Sequence, residues 1–182
     1  NIDLNLVDVL SYCNAQLNIG KRAKLSGTEL EKQVLTYTLE RFKSWYKEKG
    51  LPAEVFLSVA ALKLGNPLDI DARVTAVHRF TLLPEASSLA AANKRVSNIL
   101  TKQLAHSDIA ALNTALLQEE AEKQLSDSLN SLETLIAPLL ANRDYNAVLE
   151  KLAELKQPVD QFFEDVMVMA EDMELRQNRL AL

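Results

Sequence analysis

Four polar residues on one predicted helix, at about residues 85–103, are the clearest candidates for binding chemistry. At about 100° per residue, Lys94, Arg95, Asn98 and Lys102 fall within an arc of roughly 100°. The opposite side of the wheel is apolar and holds Leu89, Ala92, Val96, Ile99 and Leu100. Such a helix presents only cations and amides on its polar face, which suits phosphates and base edges. The pattern indicates an RNA-binding face, with solubilising surface charge as the plain alternative.

A second basic stretch lies on the helix predicted over residues 28–49. Its cations are Arg41, Lys43, Lys47 and Lys49, and Trp45 and Tyr46 lie between them. Phosphates pair with cations while unstacked bases stack on aromatic rings, so this composition also suits RNA. The alternative is that the cations are solvated surface and that both aromatic residues belong to the core.

No combination of residues in the chain is typical of catalysis. His78, His106 and the single Cys13 are too few for a zinc site, and there is no glycine-rich phosphate loop. Carboxylate pairs such as Glu119 and Glu120 are typical of solvated faces or helix N-termini. His78 has apolar neighbours, and we interpret it as a structural histidine rather than a proton donor. We predict no catalytic residue and no metal ligand.

The composition indicates that helices position these residues. Hydrophobic residues make up 48% of the 182 residues, whereas aromatic residues make up only 5%. Four glycines and five prolines supply little turn material for a many-stranded sheet. We therefore predict an all-α fold.

Apolar periodicity places the helices along the chain. We expect a first helix over 3–17, a helix over 28–49 with a capping box formed by Thr28 and Glu31, and a short helix from Pro52. Further helices are expected from Asp69 or Asp71, from Pro84 to about residue 103, over 116–141, over 144–155, and from Pro158 through the apolar run 166–169. This predicts an N-terminal helix and basic loop over 1–27, and a helical domain over 28–182 with a possible connector at 104–114.

Charge and cysteine content bear on location and partners. Residues 1–115 carry a net charge of +3, and residues 116–182 carry −8. With one cysteine there is no internal disulfide, and we find no bilayer-length apolar run and no signal peptide, so we expect a cytoplasmic location. Both ends of the sequence look cut, because it opens without Met and stops inside a helical stretch.

Four stretches, taken in order and spacing, resemble a known family. They are residues 41–50, residues 67–77, residues 90–100, and residues 162–182 from Phe162-Phe163 to the final Asn-Arg-Leu-Ala-Leu. Together they resemble the C-terminal end of the β subunit of the bacterial tetrameric glycyl-tRNA synthetase. The C-terminal domain of arginyl-tRNA synthetase is a second reading, since the 166–169 run occurs there too, but residues 93–100 fit the glycyl family better.

The resemblance implies a helical bundle similar to the anticodon-binding domain of arginyl-tRNA synthetase. In the glycyl family this bundle binds the anticodon arm of tRNA(Gly). It implies no cofactor in this chain, because glycine activation with ATP and Mg²⁺ belongs to the separate α subunit. The implied protein partners are that α subunit and the remaining β-subunit domains. The family continues into further helix beyond residue 182, so the last helix here is expected to be partly unsupported.

The resemblance also gives the candidate residues a mechanism. Glycine codons begin GG, so the last two anticodon bases are cytosines, which offer an amino donor and ring acceptors. We expect Lys94, Arg95, Asn98 and Lys102 to lie along the anticodon loop, Arg41 and Lys43 to add phosphate contacts, and Arg176, Asn178 and Arg179 to flank the site.

Two alternatives stay open. In the first, the arginines are structural: Arg95 pairs with an acid from 116–174, and Arg176 and Arg179 pair with acids at 171–174. In the second, the acidic segment 116–174 is a protein-interaction module that docks to the α subunit or to another β domain.

Overall fold

The computed structural model describes residues 3–17, 26–104 and 111–182, and within them every regular element is helical. The helices are α1 (Leu6–Leu17), α2 (Gly27–Glu48), α3 (Ala53–Ala60), α4 (Pro67–Thr81), α5 (Pro84–Leu104), α6 (Glu120–Ala141), α7 (Tyr145–Ala153), α8 (Lys156–Asp165) and α9 (Met173–Ala181), with a 3-10 turn (Thr114–Leu116) before α6. The predicted all-α fold is confirmed. The chain divides into two compact units, Asn1–Arg79 and Phe80–Leu182.

The first unit has its core where α2, α3 and α4 supply buried side chains. Those residues are Tyr46, Val55, Phe56, Val59, Ile70 and Val74. The Tyr46 hydroxyl donates a 2.9 Å hydrogen bond to Asp71, which satisfies the polar end of an otherwise buried ring. Burial and this hydrogen bond raise the pKa of Tyr46 well above its ordinary value, so the ring stays neutral.

The second unit is built around α6, which packs against α7 and α8. Its core contains Ala121, Leu125, Phe162 and Val166, and Leu182 packs against it. Helix α5 lies on α8 and α7 with one side and leaves the other side in solvent. This packing decides which residues of α5 a ligand can reach.

Helix boundaries correct several predictions. The cap of helix α2 lies two residues earlier than expected, because the Ser26 hydroxyl accepts from the Glu29 N–H, so Ser26 rather than Thr28 is the N-cap. At its other end, Gly50 takes a φ of +81°, the left-handed conformation that glycine tolerates, and ends the helix as predicted. Helix α6 starts at Glu120 rather than at residue 116, and it continues through Pro138 to Ala141. Helix α7 begins after Asp144, at the predicted start, because the Asp144 carboxylate accepts from the Ala147 N–H.

The predicted single last helix is wrong. Helix α8 ends at Asp165, the chain runs without helix through residues 166–172, and α9 begins after Asp172. Exposure alternates along this stretch: Val166 and Ala170 are buried while Met167 and Met169 are exposed. The Asp172 carboxylate then accepts from the N–H groups of Glu174 and Leu175 and starts α9 as a separate helix.

The predicted domain boundaries stay predictions. Most of the expected basic loop at 18–27 and of the connector at 104–114 lies outside the described residues. The division after Arg79 is one that the sequence pattern did not indicate.

Candidate RNA interface

The outward face of α5 gathers the four residues that the sequence singled out. Lys94, Arg95, Asn98 and Lys102 are all exposed, and they border one shallow groove of about 340 Å³. They share a face because they recur every three or four residues on a continuous helix. Within the described ranges, no carboxylate pairs with any of the three cations. Their charge is therefore available to an anion in solution.

Arg95 is held in place by an aromatic ring. Its guanidinium carbon lies 4.0 Å from the centre of the Phe163 ring on α8. A guanidinium stacks on an aromatic face and keeps its N–H groups, which lie in its own plane, pointing outward. The alternative of an Arg95 ion pair with residues 116–174 is not what the structure shows, although the partner does come from that segment. Arg95 thus presents a planar donor that an aromatic ring supports.

Arg176 is half-buried on α9 and contacts the sulfur of Met173 through its guanidinium. In the described part of the chain, Arg176 forms no ion pair with the acids at 171–174. Its expected place beside an RNA surface stays a prediction.

The structure places Arg179 in the interior, which corrects its expected position at the edge of an RNA surface. Its side chain is only 6% exposed, and its Nε lies 2.7 Å from the carboxylate of Glu122, which is 0% exposed. A second N–H donates to the Met167 carbonyl at 3.0 Å. Arg179 therefore joins α9, the N-terminal turn of α6 and the 166–172 segment, and it has no surface left for a phosphate.

Glu122 completes this buried network. Its carboxylate accepts from the backbone N–H groups of Gln118 and Glu119 at 2.8 and 2.7 Å, as well as from Arg179. Burial pushes the pKa of Glu122 upward, but these hydrogen bonds and the positive charge of Arg179 outweigh it, and the net shift is downward. Asn178 is also buried, and its side-chain oxygen accepts from the Asn113 N–H at 2.7 Å. Asn178 is therefore a structural residue as well.

Arg41 and Lys43 belong to the first unit and lie on different sides of α2. Arg41 lies 5.0 Å from the centre of the Tyr37 ring and donates to its hydroxyl. That hydrogen bond raises the pKa of Arg41, which stays fully charged. Lys43 instead borders a separate groove of about 610 Å³ with Lys32 and Lys63.

The two neighbouring aromatic residues of α2 have opposite environments. Tyr46 is in the core, at 4% exposure, while Trp45 is 44% exposed and has Lys49 Nζ 3.5 Å from its ring centre. The core reading therefore holds for Tyr46 and fails for Trp45.

Sequence reasoning missed two aromatic residues at these surfaces. Phe163 supports Arg95, but a contact between helices more than sixty residues apart leaves no local signal. Tyr37 had such a signal, because it lies four residues before Arg41 and eight before Trp45.

A larger groove of about 850 Å³ lies along α6, α7 and α8, and the charged residues that line it are mostly acidic. Glu120, Asp127, Glu154 and Asp165 line it together with Lys151. In the described part of the chain, no three His, Cys, Asp or Glu side chains are arranged to hold a metal ion. None of the helices described has both the length and the hydropathy that crossing a bilayer requires.

Comparison with known proteins points to one family. Residues 89–182 match the DALR anticodon binding domain, a range that lies within the second unit and includes Lys94 to Lys102. The whole chain is also 46% identical over 181 residues to the glycine–tRNA ligase beta subunit of Shewanella baltica strain OS155, and 48% identical over 181 residues to that of Chromohalobacter salexigens.

In both alignments all of this chain is covered, but only 26% of the relative. The chain thus spans about a quarter of the length of these relatives. Both an all-helical second unit and the match over residues 89–182 agree with the resemblance seen in the sequence. The chain belongs to the family of DALR anticodon-binding domains.

Proposed function

We propose that this chain binds the anticodon arm of tRNA(Gly) through the outward face of α5, as part of the β subunit of a glycine–tRNA ligase. One observation carries the proposal: the cations of α5 are exposed and unpaired among the described residues, and they lie inside the range that matches an anticodon-binding domain. The assignment to a glycine–tRNA ligase, and therefore to tRNA(Gly), rests on the names of the relatives.

Each residue has a role that follows from its chemistry. Lys94 and Lys102 are mobile point charges suited to the phosphates of the loop. Arg95, whose guanidinium lies over the Phe163 ring, offers N–H donors to the acceptor edge of a cytosine. The Asn98 amide both donates and accepts, so it fits a cytosine edge that carries both kinds of group. In this proposal the two lysines bind the RNA backbone, and Arg95 and Asn98 recognise the bases.

Chemistry on glycine lies outside this proposal for the chain itself. We assign ATP- and Mg²⁺-dependent activation to a separate α subunit, and to this chain the tRNA contact that supports it. The other partners are then the remaining β-subunit domains, and the setting is the cytoplasm.

The acidic groove supports a second candidate function, a protein contact within the same enzyme. Its volume of about 850 Å³ and its carboxylates suit a basic helix of the α subunit or of another β domain. The two functions use different faces of the second unit and are compatible.

The test is charge reversal on α5. Lys94→Glu with Arg95→Glu is expected to abolish binding of a tRNA(Gly) anticodon stem-loop, measured by fluorescence anisotropy, while circular dichroism stays unchanged. The matched control is Lys123→Glu with Lys151→Glu, which makes the same change in net charge on α6 and α7. Unchanged affinity in the α5 variant, or an equal loss in the control, would refute the placement.

Specificity is a separate readout. Replacing either anticodon cytosine by uracil exchanges an amino donor for a carbonyl acceptor, so wild-type affinity is expected to fall by about tenfold. Asn98→Ala should reduce this discrimination, whereas Lys102→Ala should weaken all stem-loops alike. A chain that binds every stem-loop equally would bind RNA without reading the anticodon.

A further inference from the structure

Four residues at intervals of four alternate along one side of α2 and its C-cap: Tyr37, Arg41, Trp45 and Lys49. All four are exposed, with Tyr37 at 58% and Trp45 at 44%. At about 100° per residue, they sweep an arc of only about 120° over a length of about 18 Å. We call this set the aromatic–cation ladder.

Each ring of the ladder carries the next cation. The guanidinium carbon of Arg41 lies 5.0 Å from the centre of the Tyr37 ring, and Lys49 Nζ lies 3.5 Å from the centre of the Trp45 ring. Trp45 also meets the buried Tyr46 ring edge-on, with centroids 4.9 Å apart, so it is anchored to the core on one side. These contacts place each cation against a ring before any ligand arrives, which lowers the entropy cost of ordering the two cations on binding.

The cations keep capacity for a ligand. A guanidinium has five N–H groups, and Arg41 donates one of them to the Tyr37 hydroxyl. Neither Arg41 nor Lys49 forms an ion pair with any acid in the described ranges. One acid, Glu48, shares the arc beside Lys49, and Glu40, which lies outside the arc, acts electrostatically on Arg41. Inside the arc, two cations and one acid lie beside two partly exposed rings.

We propose that the aromatic–cation ladder is a second RNA-binding surface, which takes unpaired nucleotides. Phosphates pair with Arg41 and Lys49, and bases stack on Tyr37 and Trp45; this combination binds single strands without reading a sequence. A length of about 18 Å matches roughly five stacked nucleotides at about 3.4 Å each. The ladder lies outside the range matched to the anticodon-binding family, and its binding does not depend on the role given to α5.

The chain carries its own probe for this surface, because Trp45 is its only tryptophan. A base that stacks on Trp45 quenches its fluorescence, so the full chain can be titrated with a single-stranded oligoribonucleotide of about 12 nucleotides. We expect saturable quenching that weakens with salt. Inorganic polyphosphate supplies the charge without the bases, and it should not quench.

Variants on the same helix separate the ladder from general charge. Arg41→Glu with Lys49→Glu should weaken binding by more than about tenfold, and Tyr37→Ala, with a ring already exposed, by about tenfold. Lys32→Glu with Lys47→Glu makes the same charge change on other sides of α2 and should have a much smaller effect. Glu48→Lys should strengthen binding. Circular dichroism verifies that each variant is folded.

The outcomes decide the proposal. Absence of quenching by RNA, quenching by polyphosphate alone, or equal losses in the ladder pair and the matched pair would each overturn it. In the variant Lys94→Glu with Arg95→Glu, RNA should quench Trp45 fluorescence as it does in the wild type. Loss of this quenching in that variant would place the binding at α5 and overturn the proposal for the ladder. Failure of the stem-loop experiment on α5, by contrast, leaves these expectations intact.

Discussion

The buried ion pair between Arg179 and Glu122 can be tested directly. The sequence suggested that Arg179 contacts RNA, whereas the structure shows that it pairs with Glu122 in the interior. Replacing Arg179 by Met keeps a long, flexible side chain but removes the charge. It deletes the 2.7 Å contact to Glu122 and the 3.0 Å donation to the Met167 carbonyl. Glu122, which is 0% exposed, is left with two backbone N–H donors and no cation.

The expected cost follows from that geometry. Breaking a buried pair by removing one partner costs about 3–5 kcal/mol, because the remaining charge stays desolvated. For a chain of this size, 1 kcal/mol shifts Tm by about 2–4 °C, so we expect Arg179→Met to lower Tm by about 10 °C. Removing both charges, as Arg179→Met with Glu122→Met, should cost less than the single change even though the capping box is lost.

The assay is thermal and urea unfolding followed by far-ultraviolet circular dichroism. Tryptophan fluorescence would be the wrong probe, because Trp45 lies in the other unit. The matched control is Arg176→Met, the same substitution one turn earlier on α9, at a residue without a described ion pair; it should cost less than about 1 kcal/mol. Equal costs for the two variants, or weaker RNA binding by Arg179→Met under conditions where it is folded, would refute the structural role.

Three further predictions follow from other contacts. Phe163→Leu should loosen Arg95 and weaken stem-loop binding by about fivefold, measured by anisotropy, and Phe163→Tyr should restore it; equal behaviour of the two variants would contradict stacking. Tyr46→Phe should cost about 1 kcal/mol in urea unfolding, because Asp71 loses its buried donor, and no change would make that bond irrelevant. Because the folded-state pKa of Glu122 is lowered from its ordinary 4.5, its stabilisation is complete above about pH 4.5 and is lost as the pH falls further; Glu122→Gln should flatten this acid limb in unfolding experiments, and an unchanged limb would contradict it.

The sequence predicted the helices well where local signals act alone. Gly50 and Asp144 mark helix ends through backbone conformation and side-chain capping, and both act within a few residues. The break at 166–172 was missed because its apolar run contains no Gly or Pro. Tertiary contacts hold it open: alternate residues are buried, and Arg179 binds the Met167 carbonyl.

Some residues of the candidate interface could likewise be predicted from local sequence, and others could not. The face of α5 could be read from a helical wheel, because exposure there follows the periodicity of one helix. Arg176 and Arg179 look equivalent on that basis, since both are basic and lie one turn apart. What separates them is Glu122, 57 residues earlier, and no local pattern reveals that partner.

The charges of the second unit give the α5 face a further property. Residues 80–182 hold nine basic and sixteen acidic residues, a net charge of −7. Three of the cations, Lys151, Lys156 and Arg179, are paired with acids elsewhere in the unit. The unpaired cations of α5 therefore form a positive strip on an otherwise negative body. Such a body repels a polyanion from most directions and attracts it along one face, so under the proposed function we expect the acidic residues to help orient a tRNA that approaches α5.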